Sequence, residues 1–89
     1  MRRYDEEGMS NSHMVVMYGR TACHLCDVAR GVILAARDRG ARFGFEEVTI
    51  DGNPDLERDY GFRVPVVEVD GREEFEIAVE PARLRRLVG

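Results

Sequence analysis

The first sustained apolar run of the chain, Met14-Val15-Val16-Met17-Tyr18, has no polar position inside it. A run without alternation predicts a strand covered on both faces, and Gly19 ends it. Beyond a short polar stretch the spacing changes. Leu25, Val28, Ala29, Val32, Ile33 and Ala36 recur at intervals of three and one, which is one stripe of a helix. Asp27, Arg30, Arg37 and Asp38 fall off that stripe, and Gly40 stops the helix. Gly31 lies mid-helix, where glycine costs about 1 kcal/mol against alanine. It reads either as a neutral exposed glycine or as a place where another backbone packs close.

Phe43 and Phe45 predict a second strand, but Val48 and Ile50 sit on the opposite parity. That mismatch predicts a bulge or a late start. Asn53 followed by Pro54 signals a helix start, with Asp55 and Glu57 suited to the positive end of its dipole. Gly61 closes this short helix. The segment from Val64 to Val69 reads as a strand, Asp70-Gly71 as a two-residue hairpin turn, and residues 73–79 as the returning strand. Pro81 opens a last helix carrying Leu84, Leu87 and Val88. The order is β-α-β-α-β-β-α, an α/β chain. A strand, helix and strand in succession imply a right-handed parallel unit, and the hairpin adds an antiparallel pair. The expected architecture is a four-stranded mixed sheet with three helices.

The 89 residues make one domain, residues 14–89, behind a polar and aperiodic tail of residues 1–13 that reads as disordered. Seventeen acidic residues against thirteen basic ones leave a net charge of −4, and every basic residue is arginine. An acidic balance argues against broad nucleic-acid binding. No apolar run approaches the roughly 20 residues of a membrane helix, and the N-terminal pattern is not that of a secretory signal. The expected setting is a cytoplasmic, monomeric protein.

Both cysteines of the chain, Cys23 and Cys26, fall at the strand–helix junction. In a reducing compartment such a pair is catalytic or metal-binding more often than a structural staple, and the loop it would close is short. A closed zinc site wants four ligands. Only His13 and His24 remain as histidines, and His13 falls in the tail. An iron–sulfur or metal carrier using Cys23 from two chains stays open as the alternative. A helix N-terminus turns free amides toward Cys23 and favours its anion. A cysteine of pKa about 8.5 is about 3% thiolate at pH 7, against about 90% for one of pKa about 6. That difference corresponds to about 3.4 kcal/mol, more than the roughly 2 kcal/mol a helix dipole supplies. The Cys26 amide or thiol, Arg20 and a protonated His24 are the candidates for the rest.

The segment "GRTACHLC" before an amphipathic helix, with "YGFRVPVVEVDG" later, resembles the glutaredoxin-like branch of the thioredoxin superfamily. The resemblance spans Met14 to Gly89 and implies a thioredoxin-like fold. It implies a thiol–disulfide oxidoreductase in which Cys23 attacks and Cys26 resolves. Pro65 would be a cis-proline facing the dithiol, and Arg20, His24, Val64 and Pro65 would line the substrate site. Two departures stand out. Many glutaredoxins carry a Gly-Gly turn and a polar pair at the last helix, whereas this chain reads "DGREEFEIAVEPARL" there, with Glu80-Pro81 at the helix start. Between the cysteines stand His24-Leu25 rather than a proline and an aromatic residue. The expected partner is a disulfide-bearing protein or small molecule. No cofactor is expected, and glutathione would serve as a weak co-substrate at most.

Overall fold

The computed structural model describes residues 13–89, so all but the last residue of the expected tail, residues 1–13, lies outside the described residues. The elements are β1 (His13–Gly19), α1 (His24–Asp38), β2 (Phe43–Thr49), α2 (Pro54–Tyr60), β3 (Val66–Val69), β4 (Arg72–Glu76) and α3 (Pro81–Val88). The strands lie in the order β2-β1-β3-β4. β1 runs parallel to β2 and antiparallel to β3, and β4 returns antiparallel along β3. This is the four-stranded mixed sheet with three helices that the apolar pattern predicts.

The unbroken apolar run of β1 follows from its place inside the sheet. Val15 and Met17 are buried beside Val69 and Val67, their partners on β3. With Ala29, Ile33 and Ala36 of α1 and Leu84 and Val88 of α3 they form the main core, closed at the sheet edges by Phe43 and Phe75. The alternate positions of β1 point to the other face. There Tyr18 stacks on Tyr60 of α2, ring centroids 4.4 Å apart and planes 13° from parallel. Burying an aliphatic side chain of this size is worth about 1.5–3 kcal/mol, so the α1/α3 face carries most of the stability.

Local signals act as expected at the turns. The Asn53 side chain accepts the Leu56 amide at 3.1 Å, with Pro54 in the first turn of α2. Asp70 and Gly71 take φ of 53° and 85°, the positive pair a two-residue hairpin requires. Gly40, at φ 105°, ends α1.

Four expectations are corrected. His13 belongs to β1 rather than to the tail: its Nδ1 lies 2.6 Å from Asp70 Oδ2, and it pairs with Phe43 in the sheet. The stripe of α1 is rotated. Cys26 is 1% exposed and heads the buried row, while Leu25 and Val28 are 45% and 50% exposed. The helix carries apolar residues over a wider arc than the sheet and α3 can cover. β2 has no bulge, because His13 to Gly19 pair with Phe43 to Thr49 in unbroken register. Its two parities serve two faces instead, with Phe43 and Phe45 on the core and Val48 on the other side; Ile50 lies past the strand end. The register shift falls between Val67 and Glu68 of β3. The last hairpin is shorter than expected, since β4 stops at Glu76 and Ile77 turns away at φ 73°.

Open space surrounds the position of a Cβ at Gly31, which settles that residue as an exposed glycine. Gly31→Ala should therefore stabilise the protein by about 0.4–1 kcal/mol, read as a higher urea midpoint at unchanged slope. A lower midpoint would contradict the open environment.

The Asp70 carboxylate is held below its usual range, first by the His13 ring and then by the Met14 amide, which donates at 2.9 Å. A carboxyl whose folded pKa is depressed stabilises above its unfolded value, about 3.9, and loses that contribution as pH falls through the folded value. Asparagine suits the same positive φ. The stability gap between wild type and Asp70→Asn should be full at about pH 5 and close towards about pH 2. A gap independent of pH over that interval would disprove the linkage.

Candidate active site

Four residues connect β1 to α1, and contacts from far along the chain hold them. The Thr21 amide and hydroxyl both donate to Asp51 Oδ2, at 3.0 and 2.8 Å. These two bonds, the amide's first, hold the Asp51 carboxyl below its usual range. Asp51 is placed in turn by the Ile50 amide, which donates to the Gly19 carbonyl at 2.9 Å. Ala22 adopts φ 53° immediately before Cys23, a left-handed conformation uncommon outside glycine.

Cys23 is the N-cap of α1, with an extended backbone at φ −115° and ψ 104°. Its sulfur accepts the Cys26 amide at 3.1 Å, the role a serine or aspartate oxygen commonly fills. Cys23 is half-buried and Cys26 buried, and the two are joined in a disulfide with Cα atoms 5.2 Å apart. That separation suits a disulfide without backbone movement. Gly19 makes room for it, because a Cβ there would stand 3.0 Å from Cys26 Sγ.

A groove of about 360 Å³ opens on the β2 side of the disulfide, lined by both cysteines together with Arg20, Asp27, Arg30 and Glu47 among others. Arg30 donates through Nε and Nη2 to the two Glu47 oxygens and through Nη1 to Asp27, all at 2.8 Å. Both carboxylates push its guanidinium pKa above an already high range, Glu47 foremost. The charges along that wall are thus largely answered within the protein. Arg20 stands exposed in the groove lining, its Nη2 3.6 Å from where a Gly61 Cβ would be.

Of the site residues expected from sequence, Cys23, Cys26 and Arg20 come together in this groove. Val64 is half-buried and packs, like Cys23, against the main core. Pro65 is buried, follows a cis peptide, and its carbonyl accepts the Ile77 amide at 2.8 Å. His24 is exposed at the first position of α1. None of these last three is among the groove's lining residues. Gly19, Thr21, Asp51, Arg30 and Glu47 were not among the site residues expected from sequence. Thr21 and Asp51 are thirty positions apart, and nothing local links them.

Comparison with known proteins agrees with this geometry. Residues 14–89 match the glutaredoxin-like domain family (DUF836). The target protein XcR50 from X. campestris is 42% identical and superposes with a TM-score of 0.67, over 81% of this chain and 91% of that one. Uncharacterized protein Rv0508 of Mycobacterium tuberculosis is 37% identical over 78 residues, 80% of this chain and 77% of that protein. A mutant thioredoxin from Halobacterium salinarum, 21% identical with a TM-score of 0.57 over 85% of this chain and 71% of that one, shares the fold. The chain belongs to the glutaredoxin-like domain family, on a thioredoxin-like fold whose paired cysteines support a thiol-redox function.

Proposed function

We propose that the protein is a dithiol–disulfide oxidoreductase in which Cys23 attacks and Cys26 resolves. The observation that carries this reading is the asymmetry of the pair. One sulfur caps a helix and receives an amide, and the other is 1% exposed behind it. In the reduced protein the Cys23 thiolate attacks one sulfur of a substrate disulfide, forming a mixed disulfide and releasing the first substrate thiolate. Cys26, losing its proton, attacks Cys23 Sγ and releases the second. Two electrons pass to the substrate and the Cys23–Cys26 disulfide results. Arg20, His24, Val64 and Pro65 are proposed to contact the substrate around this centre.

No helix among the described residues is long and apolar enough to cross a membrane. The reading takes the protein to act as a monomer in a reducing cytoplasm on disulfide-bearing proteins or small molecules, without a bound cofactor or nucleic acid.

Selective alkylation tests the assignment. Cys23 of the reduced protein should react with iodoacetamide much faster than Cys26 at pH 6.5. Cys26→Ser should still accumulate a mixed disulfide, and Cys23→Ser should be inert. Equal alkylation rates would sink the proposal.

Glutathione is proposed to be a poor co-substrate. Its glutamyl end needs partners for a carboxylate and an ammonium, and each missing charge-assisted hydrogen bond is worth about 1.5–3 kcal/mol. At the last helix the Glu80 carboxylate is committed to the Arg83 amide at 3.0 Å and offers negative charge rather than a donor. Reduction of a protein disulfide should therefore outpace release of glutathione from a glutathionylated peptide. Efficient deglutathionylation, saturating at or below low-millimolar glutathione, would overturn this expectation.

A further inference from the structure

Phe62 is 99% exposed. A phenylalanine commonly buries more than about 150 Å², and here that surface is left available to a partner. Its loop is firmly tied. The Gly61 amide donates to Glu57 O at 2.9 Å and the Arg63 amide to Tyr60 O at 2.8 Å. The Arg63 guanidinium donates to Asp59 O at 2.9 Å and to Glu73 and Glu76 at 3.0 Å each, and it lies over the Tyr60 ring. The ring is therefore presented from a rigid base.

The loop that carries it meets a wall residue of the disulfide groove. Gly61 adjoins Arg20 of the disulfide groove, and Val64 packs on the same core as Cys23. Other large apolar side chains are also exposed, among them Leu25, between the cysteines, and Ile77, whose amide bonds the Pro65 carbonyl.

Charge around Phe62 leans acidic, although Arg20 adjoins Gly61. Residues 51–63 and 72–76, which flank its loop, hold seven acidic residues and three arginines, an excess equal to the net −4 of the whole chain. Residues 37–42 and 81–89 hold six arginines and one aspartate. Arg83 of the second set pairs with Glu74 of the first, so the acidic excess beside Phe62 is a local one.

We propose that Phe62 anchors a disulfide-bearing protein segment whose apolar surface is rimmed by basic side chains. The proposal rests on the redox reading above and adds the class of substrate. An aromatic anchor held in place before binding loses little freedom on association, and aromatic residues dominate the energetics of interfaces. Opposite charge around it speeds encounter and rejects acidic partners. A small disulfide has no apolar surface to offer the ring, so its reduction should be indifferent to residue 62.

Three probes test this with pre-reduced protein in single turnovers: 2-hydroxyethyl disulfide, and two disulfide-linked peptide dimers with the same leucine-rich flanks, one bearing lysines and the other glutamates. Phe62→Ala should lower the rate constant for the lysine peptide about tenfold, with partial rescue by Phe62→Leu. It should leave the small disulfide unchanged within about twofold. The wild type should prefer the lysine peptide at low salt and lose that preference as salt rises. Equal losses on the small disulfide and the lysine peptide, or none on either, would overturn the anchor, and a missing lysine preference would overturn the basic rim. A wild type that reduces none of the probes would instead bring down the redox reading and the anchor with it.

Discussion

One carboxylate oxygen of Asp51 receives both the amide and the hydroxyl of Thr21, and the disulfide region depends on that clamp. The chain must leave β1, reverse and enter α1 within four residues, and it must deliver a sulfur to the N-cap. Such a loop has few hydrogen bonds of its own. Ala22 adopts a left-handed φ there, a conformation that persists only where the surroundings impose it. The clamp imposes it from the turn after β2, which is itself fastened to Gly19 by the Ile50 amide. Thus the parallel pairing of β1 with β2, made deep in the sheet, sets where Cys23 stands at the surface.

The two sulfurs differ because they occupy different parts of one helical turn. Cys23 takes the capping position, where unpaired amides converge. Cys26 begins the row that faces the sheet, and Gly19 lets it approach β1 without a clash. Replacing the cap with a sulfur is compatible with the helix, since the Cys26 amide still finds an acceptor. The group that caps the helix in the folded protein is also the one proposed to carry the chemistry.

Ion pairs here act as positioners more than as stabilisers. Exposed pairs contribute about 0–1 kcal/mol each. Arg30, gripped by Glu47 and Asp27, ties α1 to β2 beside the groove and leaves that wall nearly neutral. Arg63 joins the end of α2 to β4 and stiffens the loop leading to Pro65. One arginine-centred brace thus lines the disulfide groove and another secures the segment before Pro65, and the core beneath supplies the free energy that keeps them in place.

Element order, the cap at Asn53, the helix start at Pro81, the Asp70-Gly71 turn and the placement of both cysteines at a helix start were legible in the sequence, because each rests on contacts within a few residues. The family resemblance could likewise be read from short segments. Tertiary structure decided the rest. Leu25 and Cys26 are both apolar at helical spacing, and only the angle at which α1 meets the sheet and α3 decides which is buried. The parities of Phe43, Phe45 and Val48 make sense once β2 has covered neighbours on two faces, and a one-dimensional pattern reads the same residues as a bulge. His13 looks like part of a polar tail until Asp70, fifty-seven positions away, comes to meet it. Local periodicity determined what the elements are, while burial and long-range hydrogen bonds, which exist only after the chain has closed, determined which side chains reach the cysteines.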